Sequence, residues 1–172
     1  MLLIKKCPVP ANTMLDRYSI DGAYVDCYST EVSGQVSFHE FIFSFYTTFL
    51  FKLERTILKW TVSKPSTDAL ARQLSDGEIE TFAAWHVENR SNNEILMCDF
   101  SGRTRSWLMT VPVNTASHVR TCLYFGSTVM PVKNLKTGKL SLGPVFQALL
   151  GFHKIYSILL LYSASRRIKG RL

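Results

Sequence analysis

Apolar positions recur with two different periods along this chain, and the change of period divides it. Phe38, Phe41, Ile42, Phe45, Phe49, Leu53, Ile57 and Trp60 return every three to four residues, the spacing of one helix face. Ser37 and Glu40 open this stretch as a capping box, in which the serine hydroxyl accepts from the Glu40 amide. The pattern predicts a long helix over 37–62. Phe43, Leu50, Phe51 and Leu58 make its other side apolar too, so it must be buried or covered. Beyond Pro65 a short helix is expected up to Leu74, stopped by Asp76-Gly77. The period then falls towards two. Thr81 to Arg90, Glu94 to Phe100, Thr104 to Val113 and Val119 to Val132 read as strands, separated by Asn92-Asn93, Ser101-Gly102 and a loop through Asn114-Thr115. Ala23 to Thr30 reads as an earlier strand. Gly143-Pro144 starts a last helix running to Ser165, with proline in its first turn.

Tight hairpins make the pleat checkable. With Asn92-Asn93 as a turn, Ser91 faces Glu94, Asn89 faces Leu96, Val87 faces Cys98 and Trp85 faces Phe100. With Ser101-Gly102 as the next turn, Cys98 faces Arg105 and Leu96 faces Trp107. Side chains alternate between faces, so one face collects Ala83, Trp85, Val87, Leu96, Cys98, Phe100, Trp107, Met109 and Val111. That face is expected to look inward at the last helix, whose Phe146, Leu149, Leu150, His153, Ile155, Tyr156, Leu159 and Leu160 are too apolar for water. The other face carries His86, Glu88, Asp99, Thr104, Ser106 and Thr110, with Ala84, Ile95, Met97 and Leu108 among them. The expected fold class is α+β: an antiparallel meander of about five strands wrapped around a long C-terminal helix, with a second long helix in the N-terminal half.

At 172 residues the chain fits one domain. Residues 1–20 read as a loose lead, broken by Pro8 and Pro10. Of the net charge of +7, four come from Arg166, Arg167, Lys169 and Arg171 in a basic tail, 166–172, expected to be solvated. The rest is only mildly basic, and no stripe of cations interleaved with aromatics argues for nucleic acid. Cys7, Cys27, Cys98 and Cys122 form no C-x-x-C pair and have no histidine at zinc-ligand spacing, so buried free thiols and no metal or other cofactor are expected. Met1 to Pro8 is no signal-peptide core, so a cytosolic place is expected. Phe41 to Phe51 and Ile155 to Ala164 fall short of the about twenty apolar residues that a membrane span needs.

Candidate chemistry is sparse. Arg105 falls on the apolar face, where an unpaired guanidinium is costly. It either pairs with Glu54 or snorkels, or it grips an anionic or carbonyl group in a cavity. His86 and Asp99 face each other in the proposed register, as a general base and its orienting carboxylate would, or as a plain surface pair. His153 and Tyr156 sit where a helix crossing a sheet lends polar groups to a pocket, or where a core histidine is simply hydrogen-bonded. Gly126 is read as a bulge or bend in a long strand.

The order strand, long helix, short helix, antiparallel meander, long helix resembles the helix-grip fold of the START and birch-pollen-allergen-like superfamily. Gly102-Arg103-Thr104-Arg105-Ser106-Trp107-Leu108, Leu123-Tyr124-Phe125-Gly126-Ser127 and Leu150-Gly151-Phe152-His153-Lys154-Ile155-Tyr156-Ser157 are similar to segments of an uncharacterised bacterial family in that superfamily. The resemblance, over about residues 20–165, implies a cavity for lipid-, sterol- or polyketide-like molecules, with cyclases and hydrolases in some branches and no universal catalytic residues. The expectation is therefore a binder of a small apolar molecule, lined by Trp85, Arg105, Trp107, Tyr124, His153 and Tyr156. The alternatives are a cyclase or hydrolase using Arg105 with His153 or Tyr156, and an interaction module working through the aromatic helix or the basic tail, on a partner or an anionic membrane. A homodimer is left open.

Overall fold

The computed structural model describes residues 3–20, 22–52, 66–115, 118–133 and 138–171. Seven strands form one antiparallel sheet: β1 (Lys5–Lys6), β2 (Tyr24–Ser33), β3 (Thr81–Phe82), β4 (Trp85–Arg90), β5 (Glu94–Asp99), β6 (Thr104–Thr115) and β7 (His118–Val129). Their order across the sheet is β1-β2-β7-β6-β5-β4-β3. The first long strand thus pairs with the last, from Tyr24 opposite Val129 to Ser33 opposite Arg120. A separate ribbon of β8 (Val132–Lys133) and β9 (Leu140–Ser141) precedes the final helix.

Among the described residues, three full helices lie on one face of the sheet: α1 (Phe38–Tyr46), α2 (Asp68–Asp76) and α3 (Pro144–Lys169). The α+β class and the final helix packed on an antiparallel sheet are as expected. α1 lies between α2 and α3, and Phe38, Phe41, Ile42, Phe43, Phe45 and Tyr46 are all buried. The Phe45 ring meets Phe125 of the sheet at 4.9 Å and Tyr46 meets Phe82 at 5.4 Å. Aromatic rings from α1 therefore fill the space above the middle of the sheet.

A long helix over 37–62 is not what the described residues form. The Ser37 cap is present, its Oγ accepting from the Glu40 amide at 3.2 Å, but α1 stops after nine residues. Thr47 turns its hydroxyl back onto the Phe43 carbonyl at 2.6 Å, and Thr48 Oγ1 donates to the Phe45 carbonyl while accepting from the Phe51 amide at 3.2 Å. Hydroxyls that bond the local backbone compete with helix continuation, so this Thr-Thr pair ends one helix and caps a new turn at Phe49–Lys52. Phe49, expected in the core, is 83% exposed. Leu53, Ile57 and Trp60 lie outside the described residues.

The meander departs from expectation in β4. Asn89 opposes Leu96, Cys98 opposes Arg105 and Leu96 opposes Trp107, as the hairpin register predicts. Between Val87 and Asn89 the register slips, so His86 opposes Cys98 and Trp85 opposes Asp99. One extra residue reverses every side chain beyond it. Trp85 and Val87 consequently pack against the helix-side core, while Leu96, Trp107 and Met109 belong to a second core on the opposite face. The helices meet Ile95, Met97, Leu108, Leu123 and Phe125 instead. Thr81 to Arg90 is also two strands rather than one. Ala83 takes the left-handed conformation at φ +54° and makes a tight reversal where no glycine announces it.

The second core is covered by the N-terminal lead, which packs on the sheet instead of trailing. Met14 and Leu15 are buried beside Trp107. Glu94 Oε2 ties them together, accepting from the Trp107 indole at 2.8 Å and from the Met14 amide at 3.0 Å. Fully burying each large apolar side chain contributes about 1.5–3 kcal/mol, so the lead forms part of the folded body. At the other terminus α3 continues through Ile168, which is fully buried, and Arg167 Nη1 donates to the Thr47 carbonyl at 3.1 Å. The first basic residues of the tail are thus helical.

Candidate functional site

The six residues expected to line one cavity fall into separate places. Trp107 is fully buried and Tyr124 half-buried in the core beneath the lead, their rings 6.2 Å apart. Arg105 stands on that same face. It donates from Nε to Glu88 Oε2 at 3.1 Å and from Nη1 to the Gly102 carbonyl at 2.6 Å, with the Tyr18 ring 4.6 Å away. Glu88 also accepts from the Tyr18 hydroxyl. Glu88 satisfies the guanidinium among the described residues, and Glu54, the partner expected from sequence, lies outside them. Trp85, His153 and Tyr156 lie on the helix side. The sheet separates Arg105 from His153 and Tyr156, so the grouping that a cyclase or hydrolase would have needed does not assemble. His86 and Asp99 do not face each other either. Asp99 Oδ1 accepts from the Arg103 and Thr104 amides at 2.9 and 3.0 Å, and its Oδ2 accepts from Ser101 at 2.6 Å, so this carboxylate holds the β5–β6 turn.

His153 has different partners, contributed by β2 and β7. Because Tyr24 opposes Val129 and Asp26 opposes Ser127, both Asp26 and Ser127 point to the helix side. Asp26 is 3% exposed and accepts three hydrogen bonds. They come from Ser127 Oγ at 2.6 Å, the Ser127 amide at 3.2 Å and the Tyr24 hydroxyl at 2.9 Å. His153 Nε2 lies 2.8 Å from Ser127 Oγ and 3.8 Å from Asp26 Oδ2. The rings of Tyr24 and Phe146 stand edge-on to the imidazole, each at 5.6 Å.

The donor count settles the roles. Ser127 has one hydroxyl hydrogen, and Asp26, as a carboxylate, can only accept it. Ser127 must therefore accept from His153, which puts a hydrogen on Nε2 and leaves the lone pair of a neutral ring on Nδ1. Burial pushes the imidazole below its ordinary range, and the nearby Asp26 opposes this less strongly. The 3.8 Å approach is accordingly a contact of a neutral ring. Burial, then the Asp26 charge, drives the Tyr24 phenol well above its usual range, so it stays a donor. In this arrangement serine is the bridge. Its hydrogen is directed at the carboxylate and not at the imidazole, so histidine is not placed to activate it as a nucleophile. The cluster locks α3 onto β2 and β7.

Beside this lock opens a cleft of about 440 Å³, lined by polar Asp99, Ser101, Arg103 and Thr104 and by apolar Val129, Leu142, Pro144, Phe146 and Leu149. Phe146 belongs to both cleft and cluster. Arg103 Nη2 donates to the Leu142 carbonyl at 3.0 Å, while its Nε is buried with no hydrogen-bond partner. Arg103 forms no ion pair among the described residues. A guanidinium in this state needs an acceptor. Arg105, which the sequence marks for this role, is paired with Glu88, and Arg103 carries the unpartnered donor instead.

Sequence reasoning missed Tyr24, Asp26, Arg103, Ser127 and Phe146. Asp26 carried a usable signal, being a carboxylate inside the strand run Tyr24 to Thr30. Arg103 carried none, because a cation beside Gly102 reads as an ordinary turn residue. No family model, curated protein or solved structure matches the chain.

Proposed function

We propose that this protein binds a small, largely apolar molecule ending in a carboxylate or similar acceptor group. The head sits at Arg103, and the chain runs along Val129, Leu142, Phe146 and Leu149. The buried, unpartnered Arg103 Nε in an apolar-walled cleft carries this reading. A ligand oxygen would satisfy that donor in charge-assisted form, and the apolar wall would supply the rest of the affinity. The resemblance of an antiparallel sheet closed by a long C-terminal helix to the helix-grip fold supports such a role. The site lies at the open end of the helix–sheet seam, because the middle is filled by the rings of α1.

Calorimetric titration with decanoate and with decanol tests it. A hydrogen bond to a charged group is worth about 1.5–3 kcal/mol, so Arg103→Gln should weaken decanoate binding by at least about tenfold and change decanol binding little. Equal loss of both, or no effect on decanoate, would remove Arg103 from the site.

A further inference from the structure

Helix α3 is apolar on two opposite sides, and only one of them is used. Its inner side buries Leu160, Leu161, Ala164 and Ile168 against the helix-side core. Its outer side exposes Phe152, Ile155, Leu159 and Tyr162, which recur every three to four residues along one stripe that starts beyond the cleft-lining Leu149. Phe152 is 66% exposed and Ile155 is 59% exposed. Nothing among the described residues covers this stripe, and contiguous exposed apolar surface of this kind marks an interaction site.

Charge chooses the occupant. From Pro144 to Lys169 the helix carries Lys154, Arg166, Arg167 and Lys169 and not one Asp or Glu. Arg166 and Lys169 fall on the exposed side just beyond the apolar stripe. An apolar face bordered by cations, with aromatics among its apolar residues, is the pattern of a helix lying in a membrane interface. A second copy fits less well, since pairing this face with itself would bring two acid-free cationic helices together. From Phe146 to Lys169 the helix is also long and apolar enough to cross a bilayer, against the expectation that the segment is too short. Its inner side, however, is packed on the sheet and α1, which holds it flat against the body.

We propose that the outer face of α3 docks the protein on an anionic lipid surface, with Phe152, Ile155 and Leu159 entering the headgroup boundary and Arg166 and Lys169 contacting anionic headgroups. Docking depends on the outside of α3 and is independent of what the cleft holds. Flotation of the full chain with vesicles of phosphatidylcholine alone, or mixed with phosphatidylglycerol, tests it. Binding to the mixed vesicles, weakened by salt, is expected. Arg166→Gln with Lys169→Gln should weaken it by about fivefold per cation removed. Phe152→Ser with Ile155→Ser should weaken it by more than about tenfold, with an unchanged circular-dichroism melt showing that the fold survives. Several results would overturn docking on anionic lipid: no binding to the mixed vesicles, equal binding to both kinds, or binding indifferent to the Phe152 and Ile155 changes. A dimer that those two changes dissociate, without vesicle binding, would assign the face to a second copy instead.

Discussion

Gly126→Ala tests the packing of the lead against the sheet. Gly126 is expected from sequence to mark a bulge, yet the β2–β7 and β6–β7 registers run through it without a slip, opposite Cys27 and Trp107. The reason for glycine is close approach. A Cβ there would lie 2.4 Å from Leu15 Cδ2, 2.9 Å from the Asp26 carbonyl oxygen and 3.2 Å from Trp107 Cε3. None of the three can easily retreat. The Asp26 oxygen belongs to the neighbouring strand, Trp107 is held by Glu94 at 2.8 Å, and Leu15 is fully buried. Overpacking of this kind costs about 1–3 kcal/mol. The smaller entropy of an unfolded alanine chain returns roughly 0.5–1 kcal/mol. The net is a destabilisation of up to about 2.5 kcal/mol, or a melting temperature lower by as much as roughly 10 °C for a chain of this size. Calorimetry reads the shift. Leu15 is the neighbour most able to move, so the lead should loosen and half-buried Cys7 should react faster with a thiol reagent. A melting temperature equal to or above that of the unmodified protein would refute the packing argument.

Two further outcomes follow from the same geometry. His153 resists protonation in the folded state, so the unfolded chain takes up a proton first as pH falls. Stability should therefore be constant above the ordinary histidine value of about 6.5 and decline below it until the lowered folded value is passed. Urea melts across that range should show the decline, and His153→Gln should flatten it; an unchanged slope in the variant would place the titration elsewhere. Cys7 and Cys27 hold their sulfurs 3.5 Å apart, close enough for mild oxidation to join them with little backbone movement. Intact-mass analysis should find two hydrogens lost, and Cys7→Ser should abolish the loss; its persistence in that variant would point to another pair.

The sequence revealed the elements better than the faces. Spacing located α3 and the β5–β6 pairing, because turn residues and alternation are local signals. It could not tell which side of β5 and β6 meets the helices, since Ile95, Leu96, Met97, Trp107 and Leu108 are all fully buried. A sheet covered on both sides has no polar face to orient it. The slip at Glu88 then placed Trp85 and Trp107 on opposite sides. One residue inserted in a strand leaves no mark on composition, yet it undoes any site argued from pleat parity. The break after Tyr46 was hidden for a similar reason: Thr47 and Thr48 fit a helical apolar pattern, and only their hydroxyl bonds to Phe43 and Phe45 reveal the stop. Of the expected lining, His153 lies beside the cleft. Its partners Asp26 and Ser127 come from strands a hundred residues apart in sequence, a pairing that only the β2–β7 closure creates.

The ligand cleft is tested most directly by methyl NMR of the labelled protein during a decanoate titration. Saturable shifts should centre on Val129, Leu142 and Leu149 and need at least about tenfold more decanoate to saturate in Arg103→Gln. Shifts centred on Met109 and Val111 beneath the N-terminal lead, or no saturable shift at all, would contradict the site.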